Sequence, residues 1–339
     1  MGRGHGQAPD WPEPCSSSLI AAAHRRSVEL TILTVAYHSQ APIEQLGADL
    51  ARQSRLPQRW LVVDNAPDSN PLQITPPLAA LPPKRISGVE GAGFGEGCNQ
   101  GFQSLAAEGW QGWVWLLNPD ASLGEPDLIE RLEQLLAPLP PRALVGTAVW
   151  GADGNLEASG GWIDPGLAFR RRRLQASHLA TASSTPLRLD WLSGCSLALR
   201  PSAHTPPARF DAALPLYYED LDLCLRLGAR GAPCLWSAAV AISHQRGGGS
   251  GGDPRRRAAL TTTSYWRFLQ RHRPAWVRWL RGLRLLAGAV AKWPLKPRQS
   301  GAVLRGLATA IGRPIGAAPD TTADGQATTQ PRNPLQPGP

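Results

Sequence analysis

Three carboxylates within four positions form the densest group of reactive side chains in the sequence: Glu219, Asp220 and Asp222. They open a helical pattern, LDLCLRLGARG, in which Glu219 and Asp222 share a face while Asp220 points elsewhere. An acidic N-terminal cap is the simpler interpretation of the cluster by itself, because carboxylates favour the first turn of a helix. The functional alternative is that one separated carboxylate acts as a general base toward a hydroxyl group.

Two further candidates stand at the ends of apolar strands. Asp120 follows WVWLLNP, and His244 ends LWSAAVAISH. A magnesium or manganese ion at such a strand end would bridge one or two protein carboxylates and the phosphates of a substrate. The simpler alternatives are a turn made by Asn118 and Pro119 and a structural histidine.

A glycine-rich stretch, GAGFGEGCNQG at residues 91–101, contains Gly93 and Asn99. A dinucleotide-binding fingerprint directly follows the first strand, whereas this stretch follows two strands and a proline-rich connection. We therefore interpret it as a turn whose glycines let the backbone approach a bound nucleotide sugar. A plain flexible turn is the alternative.

The elements that must position these groups follow a β-α-β order. The apolar, β-branched run from Val28, VELTILTVAY, predicts a strand buried on both faces, and WLVVDN at residues 60–65 predicts a second one that ends in Asp64. A helix is predicted between them, at residues 42–54. Together they predict the opening of a doubly wound α/β sheet with a mostly parallel core, in which ligands bind at the carboxyl ends of the strands. Further predicted strands cover residues 113–121, 143–149 and 235–244. The glycine-rich turn leads into a predicted helix that ends near residue 108, and further predicted helices begin near residues 127, 219 and 261.

Length and composition predict the domain organisation and the charge of the binding partners. A chain of 339 residues with 42% hydrophobic residues predicts one large domain, at residues 28–260, with a basic Trp/Arg-rich helical extension at 261–312. The tails at 1–27 and 313–339 lack periodicity and are predicted to be disordered. The formal net charge of +9 suits an anionic partner, which is a nucleotide, a phospholipid surface or a nucleic acid. The extension fits a packed helix and an interfacial helix equally well.

Cysteine usage and hydropathy bear on the compartment. The five cysteines form no CxxC pair, which is typical of free thiols in a reducing compartment. No uninterrupted apolar run is long enough to cross a membrane, and no signal peptide is evident. We expect a cytoplasmic protein with peripheral contact at the inner face of the plasma membrane.

Seven motifs, taken in order, carry a family resemblance over about residues 28–272. They are VAYHS, VVDNAPDSN, GFGEGCNQG, LLNPDA, WLSGCSLALR, RFDAALPLYYEDLDLCLRLGARG and SHQRGGGSG. In this order they resemble the inverting glycosyltransferases of family 2, in particular the rhamnosyltransferase-like branch. The resemblance implies a GT-A fold, in which a mostly parallel central sheet is flanked by helices.

The resemblance also implies roles for matching residues. Asp220 falls on the catalytic acid of the family's ED pair, with Glu219 beside it and Asp222 orienting the acceptor or supporting the site. Asp120 is similar to the last acid of a DxD-type metal motif, and His244 completes the metal site. The residues implied to lie around the nucleotide are Ala36, Tyr37, Asp64, Gly93 and Asn99.

Two departures from the family pattern affect these roles. The chain has Ala36, Tyr37 and His38 where the family usually has Thr-Tyr-Asn after the first strand. Asn118 occupies the first acidic position of the DxD pattern, so a metal ion would have one carboxylate fewer.

The activity implied is a single in-line displacement that inverts the anomeric carbon. A sugar, rhamnose or another hexose, moves from a nucleoside-diphosphate donor to a hydroxyl of a glycan or a lipid-linked acceptor, in cell-surface polysaccharide synthesis. A divalent metal, Mg or Mn, is the implied cofactor, and no nucleic-acid partner is expected. Closure of the loop at residues 247–252 is expected to exclude water.

Two other classes remain as alternatives. A sugar nucleotidyltransferase needs a glycine-rich, basic phosphate loop after its first strand, and residues 36–42 contain neither glycine nor a basic residue. A non-catalytic protein that binds anionic lipid or nucleic acid would leave the ordered series Asp64, Asp120, Asp220 and His244 unexplained.

Overall fold

A computed structural model describes residues 28–73, 81–157, 159–164, 171–244 and 253–312. The predicted disordered tails, Arg170 and the loop at residues 247–252 lie outside the described residues.

A central, mostly parallel sheet runs in the order β3-β2-β1-β4-β11-β6-β12-β5, with β9 paired to β12. Strands β1, β2, β3 and β4 are mutually parallel neighbours, as are β6 and β12, whereas β11 runs antiparallel between β4 and β6. These strands are β1 Leu30–Ala36, β2 Arg59–Asp64, β3 Lys84–Ser87, β4 Trp113–Leu117, β5 Ala121–Ser122, β6 Leu144–Gly151, β9 Leu187–Leu189, β11 Ser196–Leu199 and β12 Cys234–His244. The predicted doubly wound order is therefore confirmed, with an antiparallel strand that was not predicted.

Helices cover both faces of this sheet, which explains why its strands are continuously apolar. Leu33 and Val35 of β1 pack in one core with α2, while Ile32 packs in a second core with α1 and α3. Since both faces are buried, neither side of β1 has to be polar. The helices are α1 Gln40–Ala51, α2 Phe94–Ala107, α3 Leu128–Leu136, α4 Leu179–Ser184, α5 Glu219–Gly228, α6 Pro254–His272, α7 Ala275–Lys292 and α8 Pro297–Gly312.

A small three-stranded sheet lies beside the central one. It is formed by β7 Gly160–Ile163, β8 Arg171–Arg173 and β10 Trp191–Leu192, in the order β10-β7-β8. Short 3₁₀ turns occur at Ala176–His178 and Pro201–Ala203. Strand β8 is an edge strand of this sheet, and its Arg172 forms an ion pair with Asp164 at 2.9 Å.

The predicted strand at residues 113–121 is interrupted at its carboxyl end. Strand β4 stops at Leu117, and a turn follows in which the Ala121 N–H donates to the Asn118 carbonyl at 3.1 Å. Pro119 has no backbone N–H and cannot continue a ladder. The turn directs Asp120 away from the strand, and the chain re-enters the sheet at β5.

The C-terminal region differs from the single helix predicted from Thr261 to about residue 286. Helix α6 already begins at Pro254, where the Asp253 carboxylate caps it by accepting the Arg255 N–H at 2.9 Å. Pro274 separates α6 from α7, because proline lacks the N–H that a helix interior needs. The expected domain boundary at residue 260 falls inside α6, so sheet domain and extension share one helix. None of the described helices combines the length and low charge needed to cross a bilayer.

Candidate active site

A cavity of about 840 Å³ opens at the carboxyl ends of β1, β2 and β4, and we call it the strand-end cavity. Its walls also come from the end of β12, the loop before β11, and the starts of α2, α5 and α6. Loops that leave neighbouring parallel strands open a crevice at this edge, which is where ligands of open α/β sheets bind. Of the predicted residues, the structure brings six to this cavity: Tyr37, Gly93, Asp120, Glu219, Asp220 and His244.

One wall holds a histidine between two carboxylates. The Nε2 of His244 lies 3.1 Å from an oxygen of Asp120, and its Nδ1 lies 3.1 Å from an oxygen of Glu157. Strand pairing places them together, because β12 at His244 is hydrogen-bonded to β5 at Ala121 and to β6 at Gly151. Glu157 was not predicted, since its surroundings, GNLEASGG, carry no periodic or motif signal.

The electrostatics of this wall favour a cation. Burial lowers the pKa of His244, but the hydrogen bonds and negative charges of Asp120 and Glu157 outweigh it and raise the pKa. Only the doubly protonated imidazolium can donate to both carboxylates at once. The wall therefore stabilises a positive charge, either on the imidazole or on an ion bound to the same groups.

The opposite wall carries the first turn of α5. The Asp220 carboxylate accepts the Gly194 N–H at 3.1 Å and the Leu221 N–H at 2.7 Å. These two bonds fix its orientation at the rim, where it remains half-buried. A carboxylate that is held by backbone donors and accessible from a cavity can accept a proton from a bound hydroxyl.

Glu219 has a different environment from its neighbour. Its side chain is buried, and burial together with the negative charge of Asp220 raises its pKa well above the usual value. Among the described residues, its Oε2 has no hydrogen-bond partner. The raised pKa and the burial disfavour the ionised form, so Glu219 is less suited than Asp220 to act as a base.

Asp222, which was predicted to orient the acceptor or support the site, does not line the cavity. Its fully buried carboxylate accepts from Arg226 at 2.6 Å, from Arg271 at 3.3 Å and from His272 at 2.8 Å. Burial alone would raise its pKa, but the hydrogen bond of His272 and the two arginines lower it. Since Arg271 and His272 belong to α6, Asp222 ties the C-terminal helices to the helix that carries Asp220.

Asp64, the predicted nucleoside ligand, also lies outside the cavity. Its oxygens accept from the Ala66 N–H at 3.0 Å, the Leu72 N–H at 2.8 Å and the Arg85 guanidinium at 2.7 Å. The structure thus uses Asp64 to hold the loop that follows β2. The next residue, Asn65, lines the cavity instead, because successive residues of an extended chain point in opposite directions.

Asn65 joins the end of β2 to the glycine-rich turn. Its side-chain amide donates to the carbonyls of Ala92 and Gly93 at 3.0 and 3.3 Å. Its side-chain oxygen is buried and has no hydrogen-bond partner among the described residues. A buried acceptor without a donor is costly, so this atom is suited to a ligand N–H.

The glycines of the predicted nucleotide turn serve mainly in packing. A Cβ at Gly93 would clash with the Pro215 carbonyl oxygen, and one at Gly97 would lie 2.6 Å from a methyl group of Val35. Asn99 is buried, where it accepts the Phe210 N–H at 2.9 Å and donates to the Phe210 carbonyl at 3.1 Å. Asn99 and the equally buried Ala36 therefore support the cavity from behind and do not line it.

Two tyrosines before the acidic turn have a rarely used backbone conformation. Tyr217 and Tyr218 have φ angles of 61° and 65°, in the left-handed region that side-chain-bearing residues seldom adopt. Tyr218 is held by the rings of Tyr265 and Phe268 on α6, with centroid distances of 5.4 and 5.3 Å. Tyr217 is 47% exposed and projects at the cavity. Backbone strain of this kind concentrates at functional sites.

The first turn of α6 adds cations to the cavity. Arg256 and Arg257 line it, opposite the glycine-rich turn, and a Cβ at Gly91 would lie 3.5 Å from the Arg256 guanidinium. The position of these arginines at the cavity follows from the packing of α6.

The fold is an α/β fold, and its strand-end cavity has a wall that favours a cation and a carboxylate from the first turn of α5. No family model matches the chain. It is 28% identical, over 75% of its length and 89% of the relative, to an N-acetylglucosaminyl-diphospho-decaprenol L-rhamnosyltransferase from two strains of Mycobacterium tuberculosis. The chain is a glycosyltransferase similar to the rhamnosyltransferase-like branch of family 2, and the expected GT-A-type fold is confirmed.

Two solved structures show partial similarity to the chain. A mannosyltransferase from Pyrobaculum calidifontis, in complex with GDP-Man and Mn²⁺, is 13% identical over 85% of this chain and 88% of its own, with a TM-score of 0.46. GalNAc-T7 with UDP, GalNAc and Mn²⁺ is 11% identical over 73% of this chain, with a TM-score of 0.49, and this chain covers 48% of it. Similarity at this level says nothing about the substrates of the present chain.

Proposed function

We propose that the chain transfers rhamnose or another hexose from a nucleoside-diphosphate donor, with inversion, to a hydroxyl of a lipid-linked glycan in cell-surface polysaccharide synthesis. One observation carries the proposal. Asp120 with His244, and Asp220 with its two backbone donors, face one nucleotide-sized cavity from opposite walls. A donor bound at the first wall would present its anomeric carbon to an acceptor bound at the second.

The donor nucleoside is proposed to bind at the ends of β1 and β2. Tyr37 lines this end of the cavity, and the Asn65 side-chain oxygen offers a buried acceptor to an N–H of the base. Asp64 takes part only through the loop that it holds. Asn65, and not Asp64, is thus the residue that contacts the nucleoside directly.

The diphosphate is proposed to lie between the starts of α2 and α6. The N-terminus of α2, at Gly93, opens on the cavity, and the free N–H groups of a helix N-terminus attract anions. Arg256 and Arg257 supply compensating charge on the other side. Without such neutralisation, a multiply charged leaving group would not be held in a partly buried cavity.

Asp120 and His244 are the proposed ligands of a divalent metal. The described residues contain no group of three or more His, Cys, Asp or Glu side chains arranged to hold a metal by themselves. Mg²⁺ and Mn²⁺ nevertheless fit, because such sites take one or two protein ligands and fill the rest with phosphate oxygens and water. The carboxylate and the imidazole already lie 3.1 Å apart at the cavity wall. When bound, the ion would stabilise negative charge on the departing diphosphate.

Asp220 is the proposed general base. The acceptor oxygen attacks the anomeric carbon as the carbon–oxygen bond to the diphosphate breaks, and the hydroxyl proton moves to the Asp220 carboxylate. One displacement at that carbon inverts its configuration. Glu219 is not proposed as the base, because burial and the negative charge of Asp220 raise its pKa and disfavour its ionised form.

Membrane contact is proposed for α7. An apolar stripe recurs at helical spacing on its exposed side, with exposures from 41% at Leu286 to 61% at Leu283. The sequence has no aspartate or glutamate between residues 254 and 312, so the cations around the stripe are complementary to anionic phospholipid. The stripe comprises Trp276, Trp279, Leu280, Leu283, Leu286, Val290 and Trp293.

The proposal is tested by calorimetric binding of dTDP and UDP and by release of nucleoside diphosphate from a panel of nucleotide sugars, each with and without Mg²⁺ or Mn²⁺. Asp120→Ala should abolish metal-dependent nucleotide binding. Asp220→Asn should keep binding and lose turnover. Asp127→Asn, an exposed carboxylate at the start of α3, is the matched control and should leave both unchanged.

The outcomes separate the alternatives. A product that retains the anomeric configuration would contradict the single displacement. Binding and turnover that survive in both active-site variants would contradict the assignment of the cavity. The absence of nucleotide binding in the wild-type chain would favour the non-catalytic, anion-binding alternative.

A further inference from the structure

A second cavity, of about 600 Å³, lies among α6, α7 and α8, and we call it the helical cavity. Its charged lining consists of Arg281, Arg284, Lys292 and Lys296, and no carboxylate is among the described residues that line it. Arg284, Lys292 and Lys296 bring like charges to one cavity, and an anion bound there would relieve their mutual repulsion. The helical cavity therefore has the chemistry of an anion site that the transfer reaction, as derived above, does not use.

The helical cavity shares a wall with the strand-end cavity. Tyr218 lines the helical cavity, while its chain neighbours Tyr217 and Glu219 line the strand-end cavity. On α6, Thr261 lines the helical cavity and the preceding residue, Leu260, lines the strand-end cavity. An anion in the helical cavity is thus separated from Asp220 only by the strained tyrosine turn.

The helical cavity also borders the apolar stripe of α7. Leu280 of the stripe and Arg284 of the cavity are four residues apart on α7, and residues at this spacing are neighbours on a helix surface. A ligand with its phosphates on the cations therefore has an exposed apolar surface beside it. This combination fits an amphipathic anion better than an inorganic one.

We propose that the helical cavity binds the diphosphate of a lipid-linked acceptor, with the lipid chain along the α7 stripe and the sugar directed past Tyr218 to Asp220. This inference rests on the proposed function, since it assigns the acceptor's place in the same reaction. The proposed ligand is a prenyl-type diphosphate. Its binding gives the basic extension a role in substrate binding in addition to contact with a bilayer.

The test is calorimetric titration of the full chain with farnesyl diphosphate, a water-dispersible prenyl diphosphate. The variant Arg284→Ala/Lys292→Ala/Lys296→Ala should weaken this binding at least tenfold, because three of the four lining cations are removed. The control Arg188→Ala/Arg209→Ala/Arg230→Ala removes the same charge from exposed positions elsewhere and should stay within twofold of wild type. Circular dichroism should show that both variants keep the wild-type helix content.

Three results would overturn the inference. The first is equal weakening in the two triple variants, which would indicate a general charge effect. The second is that inorganic pyrophosphate binds as tightly as farnesyl diphosphate, which would show that the prenyl chain contributes nothing to binding. The third is equal loss of binding to phosphatidylglycerol vesicles and to farnesyl diphosphate in the cavity variant, which would indicate a headgroup site.

Failure of the proposed function can be distinguished from failure of this inference. The cavity variant should bind dTDP or UDP within twofold of wild type, because Asp120, Asn65 and Arg256 are unchanged. A wild-type chain that binds nucleoside diphosphate but not farnesyl diphosphate would overturn the inference alone. A chain that binds farnesyl diphosphate but no nucleoside diphosphate would keep the anion site and overturn the proposed transfer.

Discussion

The strand-end cavity and the helical cavity differ in the signs of their charges. The first combines carboxylates, a histidine and arginines, and it is built from strand ends and loops of the sheet. The second has only cations among its described charged residues and is built from three helices. In the first cavity, a carboxylate can accept a proton and cationic groups can stabilise a leaving group. A cavity lined only by cations can hold an anion but offers no group to accept a proton. In the proposals made above, the chemistry therefore takes place in the first region and the diphosphate of the acceptor binds in the second.

The largest expected effect is on the rate of transfer at the strand-end cavity. It tests whether the chemistry belongs to this cavity. Asp220→Asn should lower the transfer rate by roughly 100- to 10,000-fold, since a general base typically contributes that much. Nucleotide binding should stay unchanged, because Asp220 lies on the acceptor wall. The measurement is single-turnover kinetics alongside nucleotide titration. A rate within threefold of wild type would remove Asp220 from the chemistry.

The next effect concerns the connection between the two regions. Asp222→Ala should lower the free energy of unfolding by about 3 kcal/mol, because it removes a fully buried carboxylate that pairs with the partly exposed Arg226 and Arg271. Chemical denaturation measures this change. Asp127→Ala, which removes a surface carboxylate paired with Arg131, is the control and should change the free energy by less than about 1 kcal/mol. Equal effects would show that the Asp222 cluster does not hold α6 in place.

The same cluster predicts a pH dependence. The folded pKa of Asp222 is lowered, so its stabilising contribution is complete above the pKa of an unfolded aspartate, about 3.9. It is lost as the pH falls through the folded value. Asp222→Asn should therefore flatten the acid limb of the stability curve, measured by thermal melts between neutral and acidic pH. An unchanged limb would assign the acid sensitivity to other groups.

A smaller effect is expected at the apolar stripe beside the helical cavity. Leu283→Glu should weaken binding to phosphatidylglycerol vesicles by about 1.5 kcal/mol or more, because one exposed leucine no longer enters the apolar phase. Vesicle co-sedimentation measures this change, and nucleotide binding should be unaffected. Val89→Glu, an exposed apolar residue far from the stripe in sequence, is the control. Equal losses in both variants would argue against α7 as the contact surface.

The smallest effect is expected at Glu219. Its folded pKa is raised, so its contribution to stability is complete below the unfolded pKa, about 4.3, and is lost as the pH rises through the folded value. Asp220 on the same turn and the Cys98 thiol of α2 are the titratable groups that interact with it. Glu219→Gln should match wild type at acidic pH, below the unfolded pKa of about 4.3, and become increasingly more stable than wild type as the pH rises toward the folded value. Thermal melts across this range would contradict the idea if the two curves ran parallel.

The sheet was predictable from the sequence because a strand that is buried on both faces is continuously apolar, and this pattern is visible in a few consecutive residues. Runs such as LTILTVA and WLVVD are continuously apolar, and β1, β2, β4, α1 and α3 lie close to their predicted positions. The antiparallel strand β11 was not predicted, because direction within a sheet depends on pairing with distant strands. The split between α6 and α7 was also missed, although Pro274 was a local signal for it.

The sequence by itself determined which carboxylates end strands and which open α5, since such positions follow from periodicity and motif order. Only the tertiary structure decided which of them face the cavity. Asp64 pairs with Arg85, and Asp222 pairs with Arg226, Arg271 and His272, whereas Asp120 and Asp220 line the cavity. Glu157, Asn65 and Arg256 joined the site through packing alone. The physical reason is that a local pattern sets the direction of a strand or helix, but the partners of a side chain come from segments far away in the chain.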